Sequence, residues 1–170
     1  PGTSDENVLK EVIKGRTYRR ATINFDVNEG ESWLDLGANI GAFAVYCRIK
    51  KARHVRCYEP DPECFRLLQL NAPNFLCFNT AITHLKQDNL QFWTTRKTTN
   101  YTRYTSFPST TLPQHIMLPN QHGEFLKGME FDGVKMDIEG SEGGLIDNWL
   151  IPRCKKLCVE YHLSRDKSVK

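Results

Sequence analysis

Residues 33–41 constrain the fold of this chain more than any other segment. Their apolar positions up to Leu36 predict a strand buried on both faces, and Gly37 and Gly41 allow a tight turn with close approach of the backbone to a ligand. Residues 42–47 then predict the start of a helix whose N-terminal amides point at whatever occupies the turn. Strand, glycine turn and helix form half of a Rossmann-like unit, so the segment indicates a nucleotide site.

The acid before the first glycine separates this turn from a dinucleotide fingerprint. That fingerprint carries three glycines as GxGxxG, whereas here Asp35 precedes Gly37 by two residues and Asn39 stands between Gly37 and Gly41. An acid without the third glycine suits a ligand that brings positive charge and no pyrophosphate. S-adenosylmethionine (SAM) is such a ligand, because a carboxylate can hydrogen-bond its cationic amino acid moiety. The alternative is a turn that merely joins a strand to a helix.

A second acid follows the next predicted strand, residues 54–58. Glu59 lies eighteen residues beyond Gly41, close to the place where a ribose-binding acid is expected. A carboxylate can accept hydrogen bonds from both ribose hydroxyls at once. Pro60 and Pro62 stop the strand and stiffen the loop that would border the adenine. The alternative is an acid that is simply exposed at the end of a strand.

The rest of the chain alternates between helix and strand patterns. Predicted helices cover residues 7–14, 64–70 and 141–150, the last capped by Ser141, and predicted strands cover residues 18–27, 75–78 running on to 82, 90–93, 131–138 and 156–162. This alternation predicts an α/β fold with a mostly parallel sheet flanked by helices. We expect a single domain over residues 1–170, with a lead-in over residues 1–30 and a core over residues 31–162.

Charged residues near the carboxyl ends of two predicted strands indicate the place of the chemistry. Because side chains alternate along a strand, Lys135, Asp137 and Glu139 are predicted to share one face. Glu160 and His162 repeat the spacing on the last strand. Several charges on one face of a central strand are costly unless they are paired or used, so we expect these groups to converge on one crevice.

Three interpretations of this cluster are open. In the one we favour, a carboxylate or His162 takes a proton while Lys135 holds the substrate oxygen. In the second, Lys135 only forms an internal ion pair with Asp137 or Glu139. The third is a magnesium or manganese site of hard oxygen ligands and one imidazole. Its ligands would be Asp137, Glu139, Glu160 and His162. We do not favour a divalent metal, because the spacing matches no metal motif and a lone histidine is often structural.

A threonine-rich polar stretch over residues 94–111 is a candidate substrate-recognition loop. Tyr101, Arg103 and Tyr104 combine aromatic rings with hydrogen-bonding groups, which suits the apolar and hydroxylated faces of a sugar. The alternative is a solvated loop, and its basic residues would also tolerate a phosphate.

Composition adds mainly exclusions. A net charge of +3 from 23 basic and 20 acidic residues is too balanced to indicate nucleic acid. No apolar run approaches the ~20 residues of a membrane span, and the six cysteines show no Cys-x-x-Cys spacing for zinc. We therefore expect a reduced, cytoplasmic protein that does not engage a membrane. The first residue is Pro1, so we expect a domain excised from a longer polypeptide, in which it is fused to other domains.

Three blocks, residues 33–41, 58–62 and 134–142, resemble the signature blocks of FkbM-type SAM-dependent methyltransferases. Residues 79–82 and 159–162 are similar to weaker blocks in the same order. The resemblance implies a Rossmann-like class I methyltransferase domain that methylates oxygen, often a hydroxyl of a sugar in a glycan. Sheets of this kind usually continue beyond the last predicted strand, so we expect trimmed or abbreviated C-terminal strands.

The resemblance also implies residue roles. The implied cofactor-binding set is Asp35, Gly37, Ala38, Asn39, Gly41, Glu59, Pro60, Thr80, Ala81 and Asp137. Within it, the residues of the glycine turn border the methionine part of SAM, Glu59 holds the ribose, and Thr80 and Ala81 lie near the adenine. The expected catalytic set is Asp137, Lys135, Glu139, Glu160 and His162, with His162 or Glu160 as the base. An NAD-dependent oxidoreductase and a non-catalytic methyltransferase-like binding module are the alternatives.

Overall fold

A computed structural model describes residues 26–94, 104–105 and 114–162. In chain order the elements are β1 (Ser32–Leu36), α1 (Ala42–Ile49), β2 (His54–Tyr58), α2 (Pro62–Asn71), β3 (Leu76–Phe78), β4 (Ala81–Thr83), β5 (Asn89–Thr94), β6 (Tyr104–Thr105), β7 (Gln114–His122), a 3-10 helix (Gly123–Gly128), β8 (Glu130–Met136), α3 (Glu142–Asp147) and β9 (Arg153–Val159). Five of these strands form a sheet in the order β3-β2-β1-β8-β9. Neighbouring strands in it are parallel, which confirms the predicted α/β fold.

Apolar side chains cover both faces of this sheet. On one face Trp33 packs with α1 and with Leu68 of α2. On the other face Leu34 packs with Leu145 of α3. Because β1 is a central strand of a parallel sheet, between β2 and β8, apolar side chains must cover both of its faces. The predicted central strand, buried on both faces, is confirmed.

Helix α2 begins two residues before its predicted start. The Asp61 carboxylate accepts hydrogen bonds from the backbone N–H groups of Glu63 and Cys64 at 2.9 and 2.8 Å. Pro62 occupies the first turn, where its missing N–H costs nothing. The connection between β2 and α2 is therefore short, and the hydrogen bonds to Asp61 fix it where α2 begins.

The prediction that the third strand runs on to residue 82 is wrong. After β3 the amide of Asn79 donates to the carbonyl oxygens of Glu59 at 2.8 Å and Pro60 at 3.0 Å, which turns the chain away from the sheet. Strand β4 instead joins a second sheet in the order β4-β7-β5-β6. The extended segment predicted at residues 90–93 is confirmed as β5, whereas β7 has no counterpart in the predictions.

The predicted ends of the last two parallel strands are also wrong. β8 ends at Met136 and β9 ends at Val159, so residues 137–141 and 160–162 form loops at the edge of the sheet. Glu139 and Gly140 have φ values of 54° and 108°, which a strand cannot contain. Asp137 still follows the ladder, because its N–H donates to the carbonyl of Leu36 at 3.0 Å.

Helix α3 is shorter than the predicted helix over residues 141–150. Ser141 lies at its N-cap position and makes no side-chain capping hydrogen bond, which corrects the predicted cap. The carboxylate of Glu142 instead accepts hydrogen bonds from N–H groups of the loop that precedes the helix, as described below. The helix predicted over residues 7–14 lies outside the described residues, and so does nearly all of the strand predicted over residues 18–27.

Candidate functional site

The turn after β1 is left-handed at three positions. Gly37, Asn39 and Gly41 have φ values of 77°, 51° and 89°. The backbone N–H groups of Gly37 and Ala38 both donate to the carbonyl of Tyr58 at 3.0 Å, which ties the turn to the end of β2. A side chain at Gly37 would overlap the carbonyl oxygen of Asp137, so the turn lies directly against the loop after β8.

Replacing Gly37 by alanine should destabilise the fold far more than replacing Gly30. Both glycines have positive φ, at 77° and 82°, which costs an L-residue about 1–2 kcal/mol. Only Gly37 also meets backbone, whereas a Cβ at Gly30 has nothing within 4 Å. Overpacking should add about 1–3 kcal/mol to the loss at Gly37. Urea unfolding of the two variants measures the difference, and equal losses would contradict the close approach.

Glu59 lies directly after β2 and faces this turn. Its Oε2 accepts from the N–H of Asn39 and its Oε1 from the N–H of Asp61, both at 2.8 Å. Glu59 is 7% exposed, and this burial raises the pKa of Glu59 to about 7, although both N–H groups act to lower it. Each carboxylate oxygen keeps a lone pair for a further donor. The acid is where the sequence predicts it, beside the turn at the end of the second strand.

Asp35 and Lys135 form a buried ion pair beneath the turn. They face each other across β1 and β8, with Nζ of Lys135 3.1 Å from Oδ1 of Asp35. The same Nζ donates to the carbonyl of Gly37 at 2.6 Å. Burial raises the pKa of Asp35, and the positive charge of Lys135 opposes that rise. The pair therefore fixes the turn from below, and a direct contact of either side chain with a ligand stays a prediction.

Glu142 organises the loop after β8 and was not predicted to do so. It is fully buried, and its Oε1 accepts from the N–H of Ile138 at 2.9 Å. The N–H of Gly140 donates to Oε2 at 3.0 Å. In the sequence Glu142 looks like an ordinary acid at the start of a helix. The argument that could have identified this role from the sequence is the cost of leaving the N–H groups of a buried loop without an acceptor.

His162 brings the end of β9 to this loop. Its Nδ1 lies 3.0 Å from Oε1 of Glu142, and its Nε2 lies 3.6 Å from Glu139 and 3.9 Å from Glu160. Burial lowers the pKa of His162, but the hydrogen bond to Glu142 and the neighbouring acids outweigh this and raise it. Burial also raises the pKa of Glu139 to about 7. The predicted convergence is therefore present for the acids and His162, although Glu139 reaches it from a loop, whereas Lys135 lies against Asp35 and the carbonyl of Gly37.

Three of the four residues of the metal alternative meet at this point. Asp137, Glu160 and His162 each offer a ligand atom within 4.8 Å of the others. The fourth, Glu139, lies beside the imidazole as described above. Two carboxylates and one imidazole suit magnesium or manganese. The geometry therefore accommodates two of the three interpretations of the cluster, proton transfer and metal binding. The internal ion pair of the remaining interpretation has another partner, because Lys135 pairs with Asp35 beneath the turn.

The remaining predicted site residues are partly described. Thr80 is half-buried and donates to the carbonyl of Ala81 at 3.2 Å, at the edge where Asn79 holds the loop of Glu59. Tyr101 and Arg103 lie outside the described residues. The backbone of Tyr104 belongs to β6 and pairs with Thr94 of β5.

The fold and the site together define a class of protein. A parallel sheet with a glycine turn after its central strand, and an acid after the next, is the arrangement of Rossmann-like nucleotide-binding domains. Within that class the chain belongs to the FkbM methyltransferase family, because the family described as "Methyltransferase FkbM domain" matches residues 35–169. The chain is thus a methyltransferase domain.

Other comparisons add no relative. No significant match was found among curated proteins or among solved structures. Within the described part of the chain, every helix is too short or too polar to cross a membrane.

Proposed function

We propose that this chain binds SAM and transfers its methyl group to a hydroxyl of a sugar in a glycan. Glu59 carries the cofactor half of the proposal. It is a buried carboxylate beside the glycine turn, with one free lone pair on each oxygen after the N–H groups of Asn39 and Asp61 have bonded. Two adjacent ribose hydroxyls match those two acceptors.

The other parts of SAM fit the surrounding residues. Gly37, Asn39 and Gly41 border the methionine part in this proposal, while Asp35 acts from beneath the turn through Lys135. Pro60, Thr80 and Ala81 border the adenine in this proposal, and Asn79 supports them by fixing the loop. When bound, SAM supplies an electrophilic methyl group on a cationic sulfur.

The affinity for SAM should fall as the pH falls through about 7. The ribose hydroxyls donate to the ionised Glu59, and with its pKa at about 7 a growing fraction of this carboxyl is protonated below that pH. The loss should approach tenfold per pH unit. Calorimetric titrations between about pH 5.5 and pH 7.5 measure it.

Glu59→Gln is the control for that pH dependence. It should bind SAM more weakly than the wild type, and its affinity should change much less with pH. Because Glu139 also has a pKa of about 7, the difference between the two chains isolates the contribution of Glu59. Identical slopes would contradict the ribose role.

The acceptor half rests on the acids and His162 at the ends of β8 and β9. Methyl transfer needs an oxygen placed in line with the methyl group, and a base is useful because protonated alcohols are poor nucleophiles. We propose Asp137 as the residue that orients the acceptor hydroxyl, with His162 as base. Glu139 and Glu160 stabilise the imidazolium that forms. Lys135 contributes by holding the turn.

A transfer assay tests the reaction. Labelled methyl from SAM should appear in one of a panel of methyl glycosides, and the transfer should persist in EDTA if His162 acts as a base. Loss of activity in EDTA, restored by magnesium or manganese, would favour the metal alternative. SAM binding without transfer to any acceptor would favour a binding module. The sugar itself is proposed from the family and from Tyr101, Arg103 and Tyr104.

Two further proposals concern the setting of the domain. The described residues include all six cysteines, and none of them forms a disulfide, which supports the proposal of a reducing, cytoplasmic environment. We also propose that residues 31–162 form the core of a single domain and that its partner is a glycan acceptor rather than a nucleic acid.

A further inference from the structure

Glu142 is an acid to which the proposed reaction assigns nothing. Its side chain is completely buried, with 0% of its surface exposed. It nevertheless bonds three groups: the N–H of Ile138 at 2.9 Å, the N–H of Gly140 at 3.0 Å, and Nδ1 of His162 at 3.0 Å. A buried carboxylate with this set of partners is a fixed acceptor at the base of the loop.

This acceptor decides which nitrogen of His162 carries the proton. A carboxylate has no proton to give, so the 3.0 Å contact with Oε1 of Glu142 requires an N–H on Nδ1. The neutral ring then has its lone pair on Nε2. The distances from Nε2 to Glu139 and Glu160, 3.6 and 3.9 Å, are too long for hydrogen bonds. Nε2 therefore faces Glu139 and Glu160 without a hydrogen bond to either of them.

We propose that Glu142 is a positioning residue, which holds His162 in the Nδ1–H tautomer so that Nε2 can receive the proton of the acceptor hydroxyl. The proposal rests on the methyltransferase function proposed above. In the transfer the O–H bond breaks and its proton goes to Nε2, while an oxygen electron pair forms the bond to the methyl carbon. The pair of the broken carbon–sulfur bond stays on sulfur, which leaves a neutral thioether. Glu142 itself touches neither reactant.

Glu142→Ala should release the tautomer by removing the acceptor. Nδ1 of His162 and the N–H of Ile138 share Oε1 of Glu142, so a glutamine oxygen at that position would still accept from both, and Glu142→Gln should keep the Nδ1–H form. Alanine leaves Nδ1 without this acceptor, so the proton of the neutral ring is no longer held on Nδ1. A base whose lone pair faces the wrong way should lower kcat by about 10–100-fold. The KM for the methyl glycoside and the affinity for SAM should change less than about threefold.

Ring nitrogen NMR of the full chain at alkaline pH, where the imidazole is neutral, is the decisive measurement. The His162→Gln variant identifies the signal. We expect the Nδ1–H form in the wild type and in Glu142→Gln, and a large share of the Nε2–H form in Glu142→Ala. The matched control is Glu124→Gln on the 3-10 helix, where an exposed side chain pairs with Lys127, and it should alter neither the spectrum nor kcat.

The outcomes separate this inference from the function on which it rests. A wild-type spectrum dominated by the Nε2–H form overturns the role of Glu142, even if the variant does not fold. An unchanged kcat in a folded Glu142→Ala chain overturns it as well. If the wild type binds no SAM or methylates no glycoside, the proposed function fails, and the ring spectrum alone still decides whether Glu142 sets the tautomer.

Discussion

Replacing Glu59 by alanine is expected to weaken SAM binding by about 100-fold. The variant loses two hydrogen bonds from ribose hydroxyls to a charged acceptor, each worth about 1.5 kcal/mol or more, and about 1.4 kcal/mol corresponds to a factor of ten. It also releases the N–H groups of Asn39 and Asp61. Isothermal titration calorimetry measures the change in affinity, and a thermal melt shows whether the variant is folded.

Glu63→Ala is the matched control, because Glu63 is an exposed acid in the first turn of α2. It removes the same charge a few residues away, so a general electrostatic effect would appear in both variants. We expect its SAM affinity to stay within about twofold of the wild type, below the effect of one ordinary hydrogen bond. Tight binding of SAM by a folded Glu59→Ala chain would remove the ribose role.

Asp137→Asn is expected to reduce turnover by about 100- to 10,000-fold, the usual range for losing a group that positions or transfers a proton. Asparagine keeps the shape of the side chain but removes its charge at the edge where Glu160 and His162 converge. SAM affinity should fall less than about tenfold. Steady-state kinetics on an accepted glycoside, together with calorimetry for SAM, separates the two effects.

Asp132→Asn makes the same chemical change at the opposite end of β8. Asp132 bonds Ser32 and Lys155 there, and the hydrogen bond from Lys155 lowers its pKa to about 2. This variant should therefore affect stability rather than turnover. Parallel losses of kcat and SAM affinity in Asp137→Asn would show that Asp137 serves binding alone.

Local patterns predicted the glycine turn and the position of Glu59 well because the determinants of both are local. A buried apolar run, two glycines and an acid after the next strand lie within thirty residues of one another, and each acts on backbone close by in the chain. The structure places Glu59 beside the turn through bonds to Asn39 and Asp61. The only local signal missed there is the Asp61 cap, which is legible as an acid followed by proline.

The loops after β8 and β9 were predicted less well because their determinants are distant in sequence. Alternation continued the strand to residue 138 and placed Glu139 on its face, whereas β8 ends at Met136 because the following loop bonds the carboxylate of Glu142, which comes later in the chain, on α3. A buried Glu142 and an exposed acid look alike at the start of a helix. In the same way, β7 pairs with β5 at sequence separations of 20 to 30 residues, and the sequence of β7 alone does not indicate its partner.

Calorimetric titration of the wild-type chain with SAM, S-adenosylhomocysteine and NAD tests the central claim most directly. An acid-bordered turn without a third glycine should bind SAM and S-adenosylhomocysteine at one site per chain and should not bind NAD. Binding of NAD with no heat from SAM would contradict the account, because the same turn and the same Glu59 would then serve a dinucleotide.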